Sequence, residues 1–430
     1  MKRLASLLLL VATSASADPQ KLTFKSAIDL ALHQNPDIAI GNEAVEQAHA
    51  HAATQRANRW VKLNVNAQVD RYREPYSLAF GSLGNFTLHQ AWTTTTIVQL
   101  NQPLTGLAYL SELVGAAEHE EAATKSDLDK TRLDTAYKTA DAYIRVLEAR
   151  ASAIVAHQSV NDIASELERA NQLRQADTYT DIDVLRFKSQ KAAADQTALR
   201  ADTAAQTSLA ALAVQLGLPE GTDIDIADDL PADAPQLTMT LPQAQDKAMH
   251  SRPELVAGRE RISSAENNHT AAKERYLPDI RAVAAWNHFT GVQPFEPEDE
   301  EYVALTANWN VWDWGATQDQ INEARRAKNR AVLTQNALSD QVKLDVRRRW
   351  LDAKTQYDSL AVAQQQQQTA EEAYRLQKVK LDNAAATTTD VIDAETDVSR
   401  ARLAFANARY DYYLALVALA RSVGDLPESK

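Results

Sequence analysis

Two stretches of this 430-residue chain, 116–216 and 316–423, contain neither glycine nor proline. Those residues are the strongest local breakers of helix, and both stretches are rich in Ala, Leu, Gln, Glu, Lys and Arg, which lose least on entering one. Each run is expected to be helical almost throughout. The apolar spacing agrees: Leu403, Ala406, Tyr410, Tyr413, Val417 and Ala420 recur at steps of three and four. Ala136, Ala140, Tyr143 and Leu147 do the same, with Ile154 one heptad beyond.

Each run holds one interruption. Asp177-Thr178-Tyr179-Thr180-Asp181 breaks the first, and Asn383 with Ala384-Ala385-Ala386-Thr387-Thr388-Thr389-Asp390 breaks the second. Such side chains bond to nearby backbone and favour helix ends. Each run is read as an antiparallel helical hairpin, over about 105–216 and about 316–423. The longer arm of the first, from about 116 to 177, would extend roughly 90 Å at a rise of about 1.5 Å per residue.

The hydrophobic period changes in 61–101 and 279–313. Val61, Leu63, Val65, Ala67 and Val69 alternate with Lys62, Asn64, Asn66, Gln68 and Asp70, and Val303, Leu305, Ala307, Trp309 and Val311 repeat the pattern. These are strand signals of about ten residues, the length that crosses a bilayer when tilted. Pro75, Gly81 and Gly84 mark the loop of one strand hairpin; Gly291, Pro294 and Pro297 mark that of the other. Six of the seven tryptophans, Trp60, Trp92, Trp286, Trp309, Trp312 and Trp314, lie in or beside these segments. Interfacial aromatic girdles of a membrane barrel would place them so.

The chain is written twice. At an offset of 217, Ala27, Ala31, His33, Pro36 and Glu43 match Ala244, Ala248, His250, Pro253 and Glu260. At an offset of 207, Ala117, Asp183, Val184, Leu209, Leu212 and Gly217 match Ala324, Asp390, Val391, Leu416, Leu419 and Gly424. The change of offset makes the loop of the first strand hairpin ten residues longer than that of the second. Each half reads helix, two strands, long helix, shorter helix. The first repeat is expected over 18–217 and the second over 241–430, joined by 218–240 with Pro219, Pro231 and Pro235. Four strands per chain cannot close a barrel, and open sheet edges are not tolerated in lipid. Three copies would supply twelve strands, enough for a lumen.

The N-terminus points to export. Lys2 and Arg3 precede an apolar stretch over 4–12, and Ala15-Ser16-Ala17 offers a small-x-small cleavage site, so 1–17 reads as a signal peptide with Asp18 as the mature start. With no cysteine in the chain, a lipid anchor and disulfides are both excluded. The net charge is −13, and removal of Lys2 and Arg3 takes it two further negative, a balance that repels nucleic acid.

The architecture, with Asp390-Val391-Ile392-Asp393-Ala394 through Ala406-Asn407-Ala408-Arg409-Tyr410, resembles the TolC-like outer-membrane efflux proteins across nearly the whole mature chain. The resemblance implies a mainly α fold with a membrane β-barrel portion. It implies a homotrimer in the outer membrane of a Gram-negative bacterium, its 12-stranded barrel embedded in outer-membrane lipid and continued by a 12-helix periplasmic α-barrel. It also implies the exit duct of a tripartite efflux pump or type I secretion system. A periplasmic adaptor would dock at the hairpin tips, around Gln175, Ala176, Asp177, Asn383 and Ala384, and couple the duct to an inner-membrane pump of RND, ABC or MFS type. By the same resemblance Asp390 and Asp393 form acidic rings at the periplasmic constriction, with Asp183 the repeat equivalent of Asp390. Three residues apart, Asp390 and Asp393 share a helical face. Acids in a first helical turn also meet the helix dipole favourably, which is a purely structural role. The tyrosine and arginine that hold the mouth shut in some members fall on Leu381 and Ala386 here, which leaves the locking contacts unassigned.

Two other readings account for less of the sequence. A periplasmic coiled-coil adaptor or scaffold would account for the helices and the leader but not for the two alternating, tryptophan-flanked hairpins. An enzyme has still less support: His49-Ala50-His51 point apart on a helix, and His119-Glu120-Glu121-Ala122-Ala123 lacks the second histidine of a zinc helix. No glycine-rich phosphate loop is present, and no cofactor is implied. Gln364 to Gln368 read as a solvated helix face.

Overall fold

In the computed structural model, the described residues are 21–219, 221–231, 233–292, 297–383 and 385–427. The expected leader, Ala384 and Pro294 lie outside them. Among the described residues eight α-helices and five strands follow in the order α1 (Phe24–Gln34), α2 (Pro36–Ala57), β1 (Lys62–Arg71), β2 (Tyr76–Ala79), β3 (Asn85–Pro103), α3 (Gly106–Gln175) and α4 (Asp181–Gln215). The second half supplies α5 (Leu241–Ser251), α6 (Pro253–Glu274), β4 (Asp279–Val292), β5 (Asp299–Asn308), α7 (Ala316–Asp382) and α8 (Thr388–Val423). The fold is mainly helical. Both breaker-free runs are helical hairpins, with α3 beginning ahead of its run and passing through Gly115. Among the described residues, no helix is long and apolar enough to cross a membrane.

The chain divides into two compact units. One gathers the described residues of 1–39, 132–248 and 344–430, the other those of 40–131 and 249–343.

The core of the first unit packs Phe24, Ala27, Ile28 and Ala31 of α1 against Ala136, Ala140, Tyr143 and Ile144 of α3, with Leu212 of α4 and Tyr410, Tyr413 and Val417 of α8. Phe24 meets Tyr143 edge-on at 5.5 Å between centroids. The Tyr143 hydroxyl donates to Leu22 O at 3.0 Å and Ala227 O at 2.5 Å, so a large apolar ring is buried without stranding its polar end. The heptad reading holds for Ala136, Ala140, Tyr143 and Leu147, all at 3% exposure or less. It does not extend to Ile154, which is 60% exposed in the chain. Periodicity places a residue on a helix face but does not say whether another helix covers it.

The second unit carries the sheet, in the order β1-β3-β4-β5, with β2 pairing alongside β3. β3 and β4 pair antiparallel from Thr94↔Thr290 to Pro103↔Arg281, so one continuous sheet joins the two halves of the sequence. The longer loop of the first strand hairpin is where β2 forms. The second hairpin differs from expectation at its far end: β5 stops at Asn308, so Trp309 and Val311 lie beyond it. Asp313 starts the turn into α7 instead, accepting from the Thr317 backbone N–H at 2.8 Å and its hydroxyl at 2.5 Å, and Trp314 and Gly315 follow at φ +57° and +89°. The ladder stops at Asn308 because its partner β4 begins opposite it at Asp279.

The sequence repeat is a repeat of contacts. Thr23 and Thr240 both begin their helices with the side chain three residues on bonded back to the cap, Ser26 at 2.8 Å and Gln243 at 3.0 Å. Tyr143 bonds Leu22 O, and its equivalent Trp350 donates Nε1–H to Met239 O at 2.8 Å. Gly217 and Gly424 both end a helix at positive φ, +78° and +87°, with the following N–H bonded five residues back, at 3.1 and 2.9 Å. Gly41 and Gly258 are the points where α2 and α6 approach the long helices. A Cβ at Gly41 would lie 2.8 Å from Leu128 Cδ1, and one at Gly258 would collide with the end of Gln335, the repeat equivalent of Leu128.

Candidate gate, docking tips and aromatic ends

The turns that close the two helical hairpins are built by one device. Thr180 caps α4 and Thr387 caps α8, each side chain accepting from the N–H three residues on, that of Asp183 at 3.4 Å and of Asp390 at 3.2 Å. The aspartates reciprocate. Asp183 Oδ2 accepts from the Thr180 N–H at 3.0 Å and its hydroxyl at 2.6 Å, and Asp390 Oδ2 accepts from Thr387 at 2.7 and 2.8 Å. These bonds hold both carboxyls below the ordinary carboxylate range. The Thr180 hydroxyl is the leading cause for Asp183 and the Thr387 backbone N–H for Asp390.

Beyond the shared cap the two aspartates part. Asp183 turns its second oxygen to the other hairpin, accepting from the Thr388 hydroxyl at 2.8 Å. Arg186, one turn on, donates to Thr389 Oγ1 at 2.8 Å. The start of α4 is thereby clasped to the start of α8, over an apolar patch of Ala170, Val184 and Phe187 with Tyr179 and Ile392 against it. Asp390 is exposed and, with the equally exposed Asp393, lines an open groove of about 1010 Å³ between α7 and α8. Val362, Ala370 and Ala373 form its other wall, and Asp397 continues the acidic row. Asp390 and Asp393 are thus brought together on one face, while Asp183 is engaged elsewhere.

Gln175, Ala176 and Asp177 are exposed at the first tip. Asp177 sits at φ +56°, an uncommon conformation for a residue with a side chain, with Arg174 at 3.5 Å. Asn383 is exposed at the second tip, its amide donating to Val379 O at 2.7 Å. Ala384 falls outside the described residues. The capping signature, threonine with an acid three residues on, stands in the sequence at both tips. The clasp partners Arg186, Thr388 and Thr389 carry no such local signal, since they bond across some 200 residues of chain.

The tryptophans fall at different levels of the sheet. Trp60 precedes β1, and Trp309, Trp312 and Trp314 follow β5, so all four lie at the helix-side ends of their strands. Trp314 is 89% exposed and meets Trp312 edge-on at 5.7 Å. Trp92 pairs with Arg71 at the opposite end of β1, and the guanidinium lies 5.2 Å from its ring. Trp286 is mid-strand, opposite Val98 and Glu301. Along the outer strands an apolar row is exposed: Leu63, Val65 and Val69 of β1 and Val303 and Leu305 of β5 are each more than 60% accessible.

Two of the histidines singled out in the sequence pair with carboxylates, His49 with Glu121 at 3.2 Å and His119 with Glu260 at 2.8 Å. Among the described residues no group of three or more His, Cys, Asp or Glu side chains could hold a metal ion.

Comparison with known proteins gives one family. The model of the outer membrane efflux protein family matches residues 27–218 and 244–425. The outer membrane efflux protein BepC of Brucella suis biovar 1 (strain 1330) is 23% identical over 341 residues, covering 77% of this chain and 72% of that protein. Among solved structures, the outer membrane protein VceC of Vibrio cholerae superposes with a TM-score of 0.79 at 18% identity, over 94% of this chain and 96% of that one. The open-state structure of the MtrE outer membrane channel of Neisseria gonorrhoeae gives 0.75 at 18% identity, over 94% and 89%.

Proposed function

This chain belongs to the outer membrane efflux protein family, and from that premise we propose that three copies close a twelve-stranded barrel, each contributing β1, β3, β4 and β5. The chain is an exit duct of the outer membrane, and the trimer is what gives it a pore. The observation that carries the assembly is the sheet itself. Among the described residues β1 and β5 each pair on one side only, and their apolar rows face outward without cover. Unpaired strand edges cannot stand in hydrocarbon, where each unsatisfied backbone group costs several kcal/mol. Joining β5 of one copy to β1 of the next removes every edge and turns the apolar rows to lipid.

The rest of the reading follows from that barrel. Each repeat, 18–217 and 241–430, adds a strand hairpin to the wall and a helical hairpin to a twelve-helix periplasmic tunnel, with 218–240 linking them. Trp60, Trp309, Trp312 and Trp314 mark the periplasmic interface and Trp92 the outer one, with Trp286 in the barrel wall. Asp390 and Asp393 form acidic rings where the tunnel narrows, and the Asp183–Thr388 and Arg186–Thr389 bonds hold the hairpins in the closed arrangement. The tips, from Gln175 to Asp177 and at Asn383 and Ala384, receive a periplasmic adaptor that joins the duct to an inner-membrane pump of RND, ABC or MFS type. A coiled-coil scaffold, the rival reading, has no use for four long paired strands. Light scattering on the detergent-solubilised full chain tests the assembly: the expected mass is that of a trimer, and a stable monomer that inserts and conducts would overturn it.

A further inference from the structure

The first helical hairpin meets the second through polar residues at positions where a helical bundle ordinarily places leucine. On α3, Ser159, Asp162, Glu166 and Arg169 recur at steps of three, four and three, the spacing of a packing seam. Ser159 donates to Glu395 Oε1 at 2.6 Å, Asp162 pairs with Arg402 at 3.0 Å, Glu166 with Lys378 at 2.6 Å, and Arg169 with Asp382. Arg402 also holds Glu371 at 2.9 Å.

One member is out of balance. Glu395 is 2% exposed, and apart from the Ser159 hydroxyl it has no hydrogen-bond donor: its second oxygen is buried without a partner. The neighbouring Tyr374 hydroxyl is likewise buried and unpartnered, although a tyrosine O–H is a ready donor or acceptor. Lys378 lies 5.3 Å from the Tyr374 ring centre and is committed to Glu166. An ionised carboxylate with one donor in so dry a place is costly; a neutral carboxyl, which can also donate, fits it.

We propose that Glu395 is a proton-operated latch between the two helical hairpins: protonated, it lets α3 seat against α7 and α8, and ionised, it drives the seam apart. The groups facing it decide the sense. From α3 come Asp162 and Glu166, both acidic; from α7 come Glu371, Tyr374 and Lys378; on α8 itself stands Arg402; and from α4 the Gln190 amide bonds Thr396 beside it at 3.3 Å. Of the two acids of α3, Asp162 disfavours a further negative charge at Glu395. The two cations already serve Asp162 and Glu371, or Glu166. Burial pushes the Glu395 carboxyl above the ordinary range, Asp162 adds to the rise, and Ser159 and Arg402 oppose it.

The folded state with a closed seam therefore binds a proton that an opened seam releases. The closed arrangement is fully stabilised below the ordinary glutamate pKa, and its advantage is lost as pH rises through the elevated value. If the duct opens by parting its hairpins, as proposed above, acidification holds it shut. The latch itself stands on the seam and is tested without reference to transport.

The chain has no cysteine, so a single one placed in the seam reports its opening. Val398 is 1% exposed and lies one turn from Glu395 on the same helix. In the full-length Val398→Cys protein, the rate of thiol modification is read relative to that of an exposed Arg400→Cys control, from about pH 5 to about pH 8. The expected ratio rises by up to about tenfold for each unit by which the closed seam elevates the pKa. Adding Glu395→Gln should flatten that rise, and Asp162→Asn should move it to lower pH. An equal rise with and without Glu395→Gln, or protection at every pH, would overturn the latch. Should the cysteine variant misfold, the thermal midpoint of the cysteine-free protein decides. It must fall with rising pH in the parent and lose that component in Glu395→Gln.

Discussion

The clasp between the hairpins can be broken by one nearly isosteric change. Thr388 is 4% exposed, and its hydroxyl donates to Asp183 Oδ1 at 2.8 Å. Thr388→Val keeps the branched shape and removes that donor. Both caps survive, because Thr180 and Thr387 still bond Asp183 and Asp390. A hydrogen bond to an ionised acceptor contributes about 1.5–3 kcal/mol when buried. Asp183 is only half-buried and keeps the Thr180 hydroxyl and N–H, so the loss is expected to be about 1 kcal/mol per chain. That is about a fivefold shift per chain toward the parted arrangement. Single-channel recording in planar bilayers reads it as longer and more frequent openings, with the mass in detergent unchanged. Arg186→Ala, which removes the neighbouring bond to Thr389, should act in the same direction. An assembled Thr388→Val protein with unaltered openings would refute the clasp, and a failure to assemble would show that the hydroxyl serves folding instead.

Five other outcomes follow from the same geometry. Replacing Asp390 and Asp393 together by Ala should weaken cation selectivity and block by multivalent cations from the periplasmic side; unchanged permeation in an assembled protein would leave Asp390 a cap alone. Gly217→Ala should lower stability by at least about 2 kcal/mol, because a left-handed non-glycine residue costs about 1–2 kcal/mol and its Cβ would lie 2.7 Å from the Gln34 carbonyl oxygen. Gly258→Ala should be near neutral in the same unfolding assay, since a helix-propensity gain of about 1 kcal/mol offsets disturbing the Gln335–Leu255 bond. Asp183 has a depressed pKa, so its contribution is present above the ordinary aspartate value and disappears as pH falls through the lower folded one; protease cleavage at the first tip should rise only in that acidic window. A charged pair inserted beside Ala176 or Asn383 should abolish adaptor crosslinking and export while leaving barrel assembly intact.

What could be read from the sequence alone is what local chemistry dictates. Without Gly or Pro, 116–216 and 316–423 have no cheaper option than helix, and the backbone bonds of a helix are satisfied within it, so the runs announce themselves. The turns at Asp177 and Asn383 were legible because threonine and aspartate cap the chain within a few residues of where they stand. The alternation from Val61 to Val69 exposes one apolar face whatever the strand pairs with, and the repeat offsets by themselves place Gly217 with Gly424 and Asp183 with Asp390. The tertiary structure decided everything that depends on which distant segment arrives opposite. It ended β5 at Asn308, because the partner strand β4 begins opposite it at Asp279, directly after Pro278. It set Trp92 and Trp286 at other levels than the four tryptophans beside the helices, because register and not sequence distance fixes height in a sheet. It gave Asp183, but not its repeat twin, a partner across the hairpins. It also turned Ser159, Asp162, Glu166 and Arg169 into one seam. Their three-and-four spacing was visible all along, but only the arrival of Glu395, Arg402, Lys378 and Asp382 opposite them makes such a row a contact rather than a wetted face.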